Sequence, residues 1–167
     1  PDTMLFRAHR ETRMRPARDD KILADWNGLA IAGIAEAATA LGEPAWLTLA
    51  EGAYNYVMNI MRRDGRLAHA ARDGRFVFPG LATDYAAMIR AALALHAATF
   101  HPGTLADAEA LAATMRRYYW DADDPGYFLT ATDAEALVMR PRSVNDEATP
   151  SASALMAANL VRLWRLT

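Results

Sequence analysis

A chain of 167 residues, 53% apolar and 23% charged, has the size of one globular domain, about 100 to 200 residues, and is too apolar for disorder. Its 18 basic and 20 acidic residues sum to a net charge of −2, which excludes the basic stripe that nucleic acid or anionic lipid requires, and no apolar run reaches the roughly 18 to 20 residues of a membrane span. Cysteine is absent, so disulfides, thiol catalysis and Cys-ligated metal are excluded, and with no secretory leader pattern a cytoplasmic setting is expected.

Along the chain, Arg7, Arg10 and Arg13 recur at a helical spacing of three, the pattern of a solvated face. A polar stretch holding Arg15, Asp20 and Lys21 follows. Lys21 is the one lysine against 17 arginines, and a compact ammonium in a pocket is not interchangeable with a planar guanidinium. Residues 22–41 carry only Asp25 and Glu36 as charges, and a helix apolar on nearly every side is a buried, inner one. Residues 45–63 place Trp46, Leu49, Ala53 and Ile60 on one side, an outer amphipathic helix. The segment 67–78, with Asp73-Gly74 at its centre, reads as a hairpin.

The order then repeats. Residues 81–100 are again almost uncharged, 105–120 are again amphipathic, and a short strand is expected at 127–130. Asp25-Trp26 matches Asp84-Tyr85 and Pro44, read as ending the inner helix, matches Pro102, a period of 58 to 59 residues. A third inner helix opens at Thr149-Pro150, a cap followed by proline, and runs over 150–166. Buried helix, tight turn, exposed helix and β-loop, repeated, predict an all-α fold of the α/α-toroid class, about half of a six-hairpin ring. A plain α-solenoid is the competing arrangement. The start at Pro1 and the stop at Thr167 inside a helical run are what a piece of a longer protein would show, and its cut edges would favour self-association.

Parallel inner helices converge their N-termini on one mouth, and the polar residues gather there. Asp25 and Asp84 are the candidate catalytic carboxylates. Arg15, Asp20, Lys21, Trp26, Asn27, Tyr85, Arg140, Arg142, Asp146, Ser151 and Ser153 are the candidate substrate contacts. Acids beside aromatic rings in a concavity suit a small carbohydrate, whose C–H faces stack while its hydroxyls hydrogen-bond, and the helix dipole would favour ionised Asp25 and Asp84. Each Asp also reads as a simple helix cap, and Trp26 as core. Gly28 would admit close approach of a ligand or a backbone. His9, His69, His96 and His101 form no metal spacing, so no metal and no cofactor is expected.

The motifs Arg15-Pro16, Asp19-Asp20-Lys21, Trp26-Asn27-Gly28-Leu29, Asp64-Gly65-Arg66-Leu67, Gly80-Leu81-Ala82-Thr83-Asp84-Tyr85-Ala86 and Ala148-Thr149-Pro150-Ser151, in that order, give a chain that resembles the toroid part of the YyaL-like, spermatogenesis-associated family of thioredoxin-domain proteins. The resemblance implies a longer protein with an N-terminal thioredoxin-like domain as partner to a six-hairpin toroid similar to sugar epimerases and glycosidases. Where that family reads Pro-Ser-Gly-Asn-Ser this chain has Pro150-Ser151-Ala152-Ser153-Ala154, and the histidine pair of N-acylglucosamine epimerases has no visible counterpart. The function expected is carbohydrate binding or processing, by a glycosidase or epimerase-like reaction if it is an enzyme. The alternative is a non-catalytic domain presenting a protein or peptide client to the thioredoxin-like domain.

Overall fold

A computed structural model describes residues 2–142 and 144–167. It opens with helix α1 (Asp2–Glu11), exposed from Thr3 to Glu11, including Met4, Leu5 and Phe6. Strand β1 (Ile22–Leu23) leads directly into α2 (Ala24–Leu41). The two residues expected to begin that helix are held extended by β4 (Ala70–Arg72), with Ile22 opposite Ala71 and Leu23 opposite Ala70. Helix α3 (Pro44–Ile60) follows, then α4 (Ala82–Thr99), α5 (Pro102–Tyr118) and α6 (Ala152–Leu166).

Pro44 and Pro102 are the first residues of α3 and α5. They open the outer helices and do not close the inner ones, because a helix's first turn has no use for the N–H that proline lacks. The closure comes from Gly42 (φ 70°) and Phe100 (φ 55°), which take the left-handed conformation and return their N–H groups to Ala38 and His96. In α6 the cap is Ser151, whose hydroxyl accepts the Ala154 N–H at 3.2 Å; Pro150 lies outside the helix.

Helix α4 lies between α2 and α6 and is buried from Tyr85 to Ile89 and from Ala91 to Leu95. Helix α3 packs on α2 and α5 on α4, each burying one stripe: Ala50, Tyr54, Val57 and Met58 on α3, and Ala108, Leu111 and Met115 on α5. This two-layer arrangement is that of an α/α toroid. Helices α2 and α4 meet at Gly28, where an added Cβ would lie 2.7 Å from the carbonyl carbon of Ala87, so the glycine admits a backbone. Helix α6 leaves Val161, Trp164 and Leu166 exposed.

The loops carry small antiparallel sheets. Strand β2 (Arg62–Arg63) pairs with β3 (Arg66–Leu67), and β4 with β5 (Arg75–Val77), giving the order β1-β4-β5. Both hairpins turn on Asp-Gly, with positive φ at Asp64, Gly65, Asp73 and Gly74, the two-residue turn whose twist matches the strands. In the second repeat β6 (Trp120–Asp121) pairs with β7 (Gly126–Tyr127), so the strand expected at 127–130 begins one residue earlier and ends at Tyr127. Among the described residues no helix is long and apolar enough to cross a membrane.

Candidate functional site

At the N-terminus of α4, Asp84 is fully buried and all of its hydrogen-bonding capacity is directed inward. One oxygen accepts the Leu81 N–H at 2.6 Å, capping its own helix; the other accepts the Asp25 N–H at 3.0 Å, capping α2. Nδ1 of His69, which arrives from the segment between β3 and β4, lies 3.0 and 3.2 Å from the two oxygens. Because a carboxylate only accepts, the imidazole carries its proton on Nδ1. Its Nε2 is then the nitrogen left for a ligand, on a side chain 29% exposed. The backbone of His69 is tied down as well, its N–H donating to Val77 and its carbonyl accepting from Ala24.

Burial pushes the Asp84 carboxyl up to about 6, against the pull of the His69 hydrogen bond, so desolvation outweighs the helix dipole that was expected to favour the ionised form. The hydrogen bond to Asp84 raises His69 above its ordinary value despite the opposing cost of burial. Asp25 stands at the first turn of α2, half-buried, with its carboxylate accepting the Trp26 N–H at 2.8 Å. Ligand atoms of Asp25, His69 and Asp84 all lie within 4.8 Å of one another. Both Asp84 oxygens already accept backbone N–H groups, so the trio is accounted for by hydrogen bonding without a cation.

Trp26 lies beside this cluster, 62% exposed, and is not core. Asn27 spends its amide on the Leu23 carbonyl at 2.8 Å. Lys21 is 47% exposed and pairs with Asp19 at 3.3 Å, and not with a buried carboxylate. Asp20 is taken by Arg72 at 2.8 Å.

The other candidates do not join the site. Tyr85 is fully buried, its hydroxyl accepting from Leu67 N–H at 2.9 Å and its ring 5.3 Å from that of Tyr119. One residue beyond Asp84 on a helix turns a side chain by about 100°, here from the cap into the core. Arg15 pairs with Glu11 on the exposed N-terminal segment. Arg140 and Arg142 stack on Phe128, and Arg142 pairs with Asp121 at 2.5 Å while Arg140 donates to the carbonyl of Thr130, which makes them braces of the second β-loop. Asp146 accepts the Ser151 N–H at 2.8 Å, and the Ser151 hydroxyl caps α6. Ser153 buries its hydroxyl without a partner.

His69 is the member of this cluster that the sequence did not place there. No spacing rule connects it to Asp84; the one available signal was its place just before a hairpin that had to fold back over the helix starts. A cavity of about 540 Å³ lies at the C-terminal halves of α2, α4 and α6. Its lone carboxylate, Glu36, faces Arg90 and Arg162 at 3.7 and 3.8 Å, and it lies at the opposite ends of the helices from the Asp84 cluster.

No family model matches the chain. Spermatogenesis-associated protein 20 of Homo sapiens is 32% identical over 174 aligned residues, which cover 98% of this chain and 22% of that protein; the chain thus spans about a fifth of the length of the curated relatives it matches. Among solved structures, cellobiose 2-epimerase from Spirochaeta thermophila superposes with a TM-score of 0.69 at 16% identity, over 88% of this chain and 39% of that one. The GH76 α-mannanase of Bacteroides thetaiotaomicron gives 0.71 at 14% identity, over 92% and 42%. At these identities the structural likeness speaks for the fold alone. The chain is a homologue of the spermatogenesis-associated protein 20 family, matching a segment of its members, and it carries the fold of the six-hairpin glycosidase-like α/α toroids.

Proposed function

We propose that this chain supplies the proton-transfer part of a carbohydrate-processing toroid, in which His69, held by Asp84, exchanges a proton with a sugar stacked on Trp26. The observation that carries this reading is the 3.0 Å contact between His69 Nδ1 and a carboxylate with no exposed surface. An imidazole fixed through Nδ1 presents Nε2 in one orientation and can take up or return a proton near neutral pH. Asp84 has no surface to offer a substrate, so the two-carboxylate arrangement of Asp25 with Asp84 is not the working pair. Asp84 positions the imidazole, and Asp25 is the carboxylate at the surface of the cluster.

The chemistry supported is proton abstraction from, or donation to, a sugar carbon or glycosidic oxygen, the class that includes epimerisation and glycoside cleavage. The remaining hairpins of a ring, and the thioredoxin-like domain that the family resemblance implies, belong to the same proposal. The test uses the full-length protein, with calorimetric titration of mono- and disaccharides and sugar turnover followed by NMR in deuterated water. His69→Gln is expected to lower turnover at least about 100-fold, the smaller end of what a positioned acid–base group contributes, with the sugar still bound. If no sugar binds at millimolar concentration, or His69→Gln turns over as the wild type does, the reading fails and the client-presenting alternative takes its place.

A further inference from the structure

The three-stranded sheet carries a second polar feature, which the cluster around His69 does not use. The Asp73-Gly74 turn pairs Arg72 directly with Arg75 across β4 and β5. Carrying the β1–β4 register one residue back from the Ile22–Ala71 pair sets Lys21 opposite Arg72. Directly paired residues point to the same face of a sheet, so Lys21, Arg72 and Arg75 form one row of cations across its end. Ala70 and Val77 lie two residues from Arg72 and Arg75 on the same face. A cavity of about 400 Å³ is bounded by these five residues together with Ala71 and Asp73.

Like charges directly opposite one another weaken strand pairing, and the chain as a whole is slightly acidic, so the row is not spill-over from a basic surface. Two of its members are already partnered: Lys21 by Asp19 at 3.3 Å, and Arg72 by Asp20 at 2.8 Å and Asp73 at 3.7 Å. Arg75 has no carboxylate within ion-pair distance among the described residues. The geometry points to an oxyanion site in this cavity, one that takes a carboxylate or phosphate borne by a sugar, with Arg75 as its principal contact. A guanidinium offers two parallel N–H groups to such an anion, and the neighbouring ammonium adds a point charge. The small apolar floor of Ala70 and Val77 leaves room for the C–H face of a sugar ring. The inference rests on strand register and the cavity, and not on the role proposed for His69.

The experiment is calorimetric titration of the full-length protein at fixed ionic strength with glucuronate, glucose 6-phosphate, glucose and inorganic phosphate. One or both acidic sugars should bind at least about tenfold more tightly than glucose, one good charge-assisted contact's worth, and the larger advantage identifies carboxylate or phosphate as the group recognised. Arg75→Gln should remove that advantage, with an unchanged far-ultraviolet circular dichroism spectrum. Arg7→Gln, on the exposed α1, should keep it. His69→Gln should keep it too, so failure here is separable from failure of the proton-transfer reading. The inference is overturned if Arg75→Gln binds acidic sugars as the wild type does, if glucose binds as tightly as they do, or if phosphate alone binds as tightly as glucose 6-phosphate, leaving the ring no role.

Discussion

The Asp84 carboxylate accepts the backbone N–H of Asp25 at 3.0 Å, across 59 residues of sequence, so the acid of one repeat caps the helix that begins with the corresponding acid of the repeat before it. The two aspartates are equivalent in sequence and unlike in role. Asp84 is a buried clamp on two helices and an imidazole, whereas Asp25 keeps its side chain at the surface of the cluster.

Removing that clamp should be costly. Asp84→Ala strands two backbone N–H groups at helix starts, each costing about 1 to 3 kcal/mol when left without an acceptor. The expected loss is about 2 to 6 kcal/mol in a chemical denaturation series. Asp84→Asn keeps one acceptor oxygen and should cost about half as much. Equal, near-zero losses would show that neither helix depends on this carboxylate.

The pair also sets a pH dependence. His69 has its folded pKa raised by the Asp84 hydrogen bond, so the stability it adds is full below its ordinary value of about 6.5 and is lost as pH rises through the folded value. Asp84, pushed up to about 6 by burial, acts with the same sign in a lower window, its contribution lost as pH rises through that value. The stability advantage of wild type over His69→Gln should therefore shrink between pH 6 and pH 8. In NMR titration the His69 ring protons should report a pKa above about 6.5 that falls when Asp84 is changed to Asn. An advantage that grows with pH would reverse the sign and exclude the ion pair.

Two glycines of α2 provide a matched comparison. At Gly28 an added Cβ meets Ala87 at 2.7 Å, whereas at Gly33 it meets nothing within 4 Å. Gly28→Ala should destabilise by about 1 to 3 kcal/mol through overpacking, and Gly33→Ala should stabilise by about 0.5 to 1 kcal/mol through helix propensity. Thermal melts of the two variants should move in opposite directions.

Trp26 and Lys21 should separate stability from binding. Both side chains are exposed, so Trp26→Ala and Lys21→Arg should each melt within about 0.5 kcal/mol of wild type. Trp26→Ala should weaken sugar binding, and Lys21→Arg, which keeps the positive charge, should leave the binding of neutral sugars unchanged, because its ion pair with Asp19 is open to solvent. A large loss of stability in Lys21→Arg would place that ammonium in a buried pocket after all.

The apolar runs, the proline and glycine punctuation and the two Asp-Gly turns were enough to read the helical segments, the repeat and the hairpin around Asp73-Gly74, because each is set by residues a few positions apart; the buried stripe of α3 was not, since Trp46, Leu49 and Ile60 are exposed and Ala50, Tyr54, Val57 and Met58 face the core. The placement of Asp25 and Asp84 at helix starts was legible for the same reason, and so was the need for a small residue at Gly28. Which acid would be buried was not. That was decided by the β3–β4 segment folding over the start of α4, covering Asp84 and bringing His69 onto it, and by the helical turn that sends Tyr85 into the core. Burial, and with it the pKa of Asp84 and the partner of Lys21, depends on what lies above a residue in space. Local pattern carries no record of that, and only the tertiary structure supplied it.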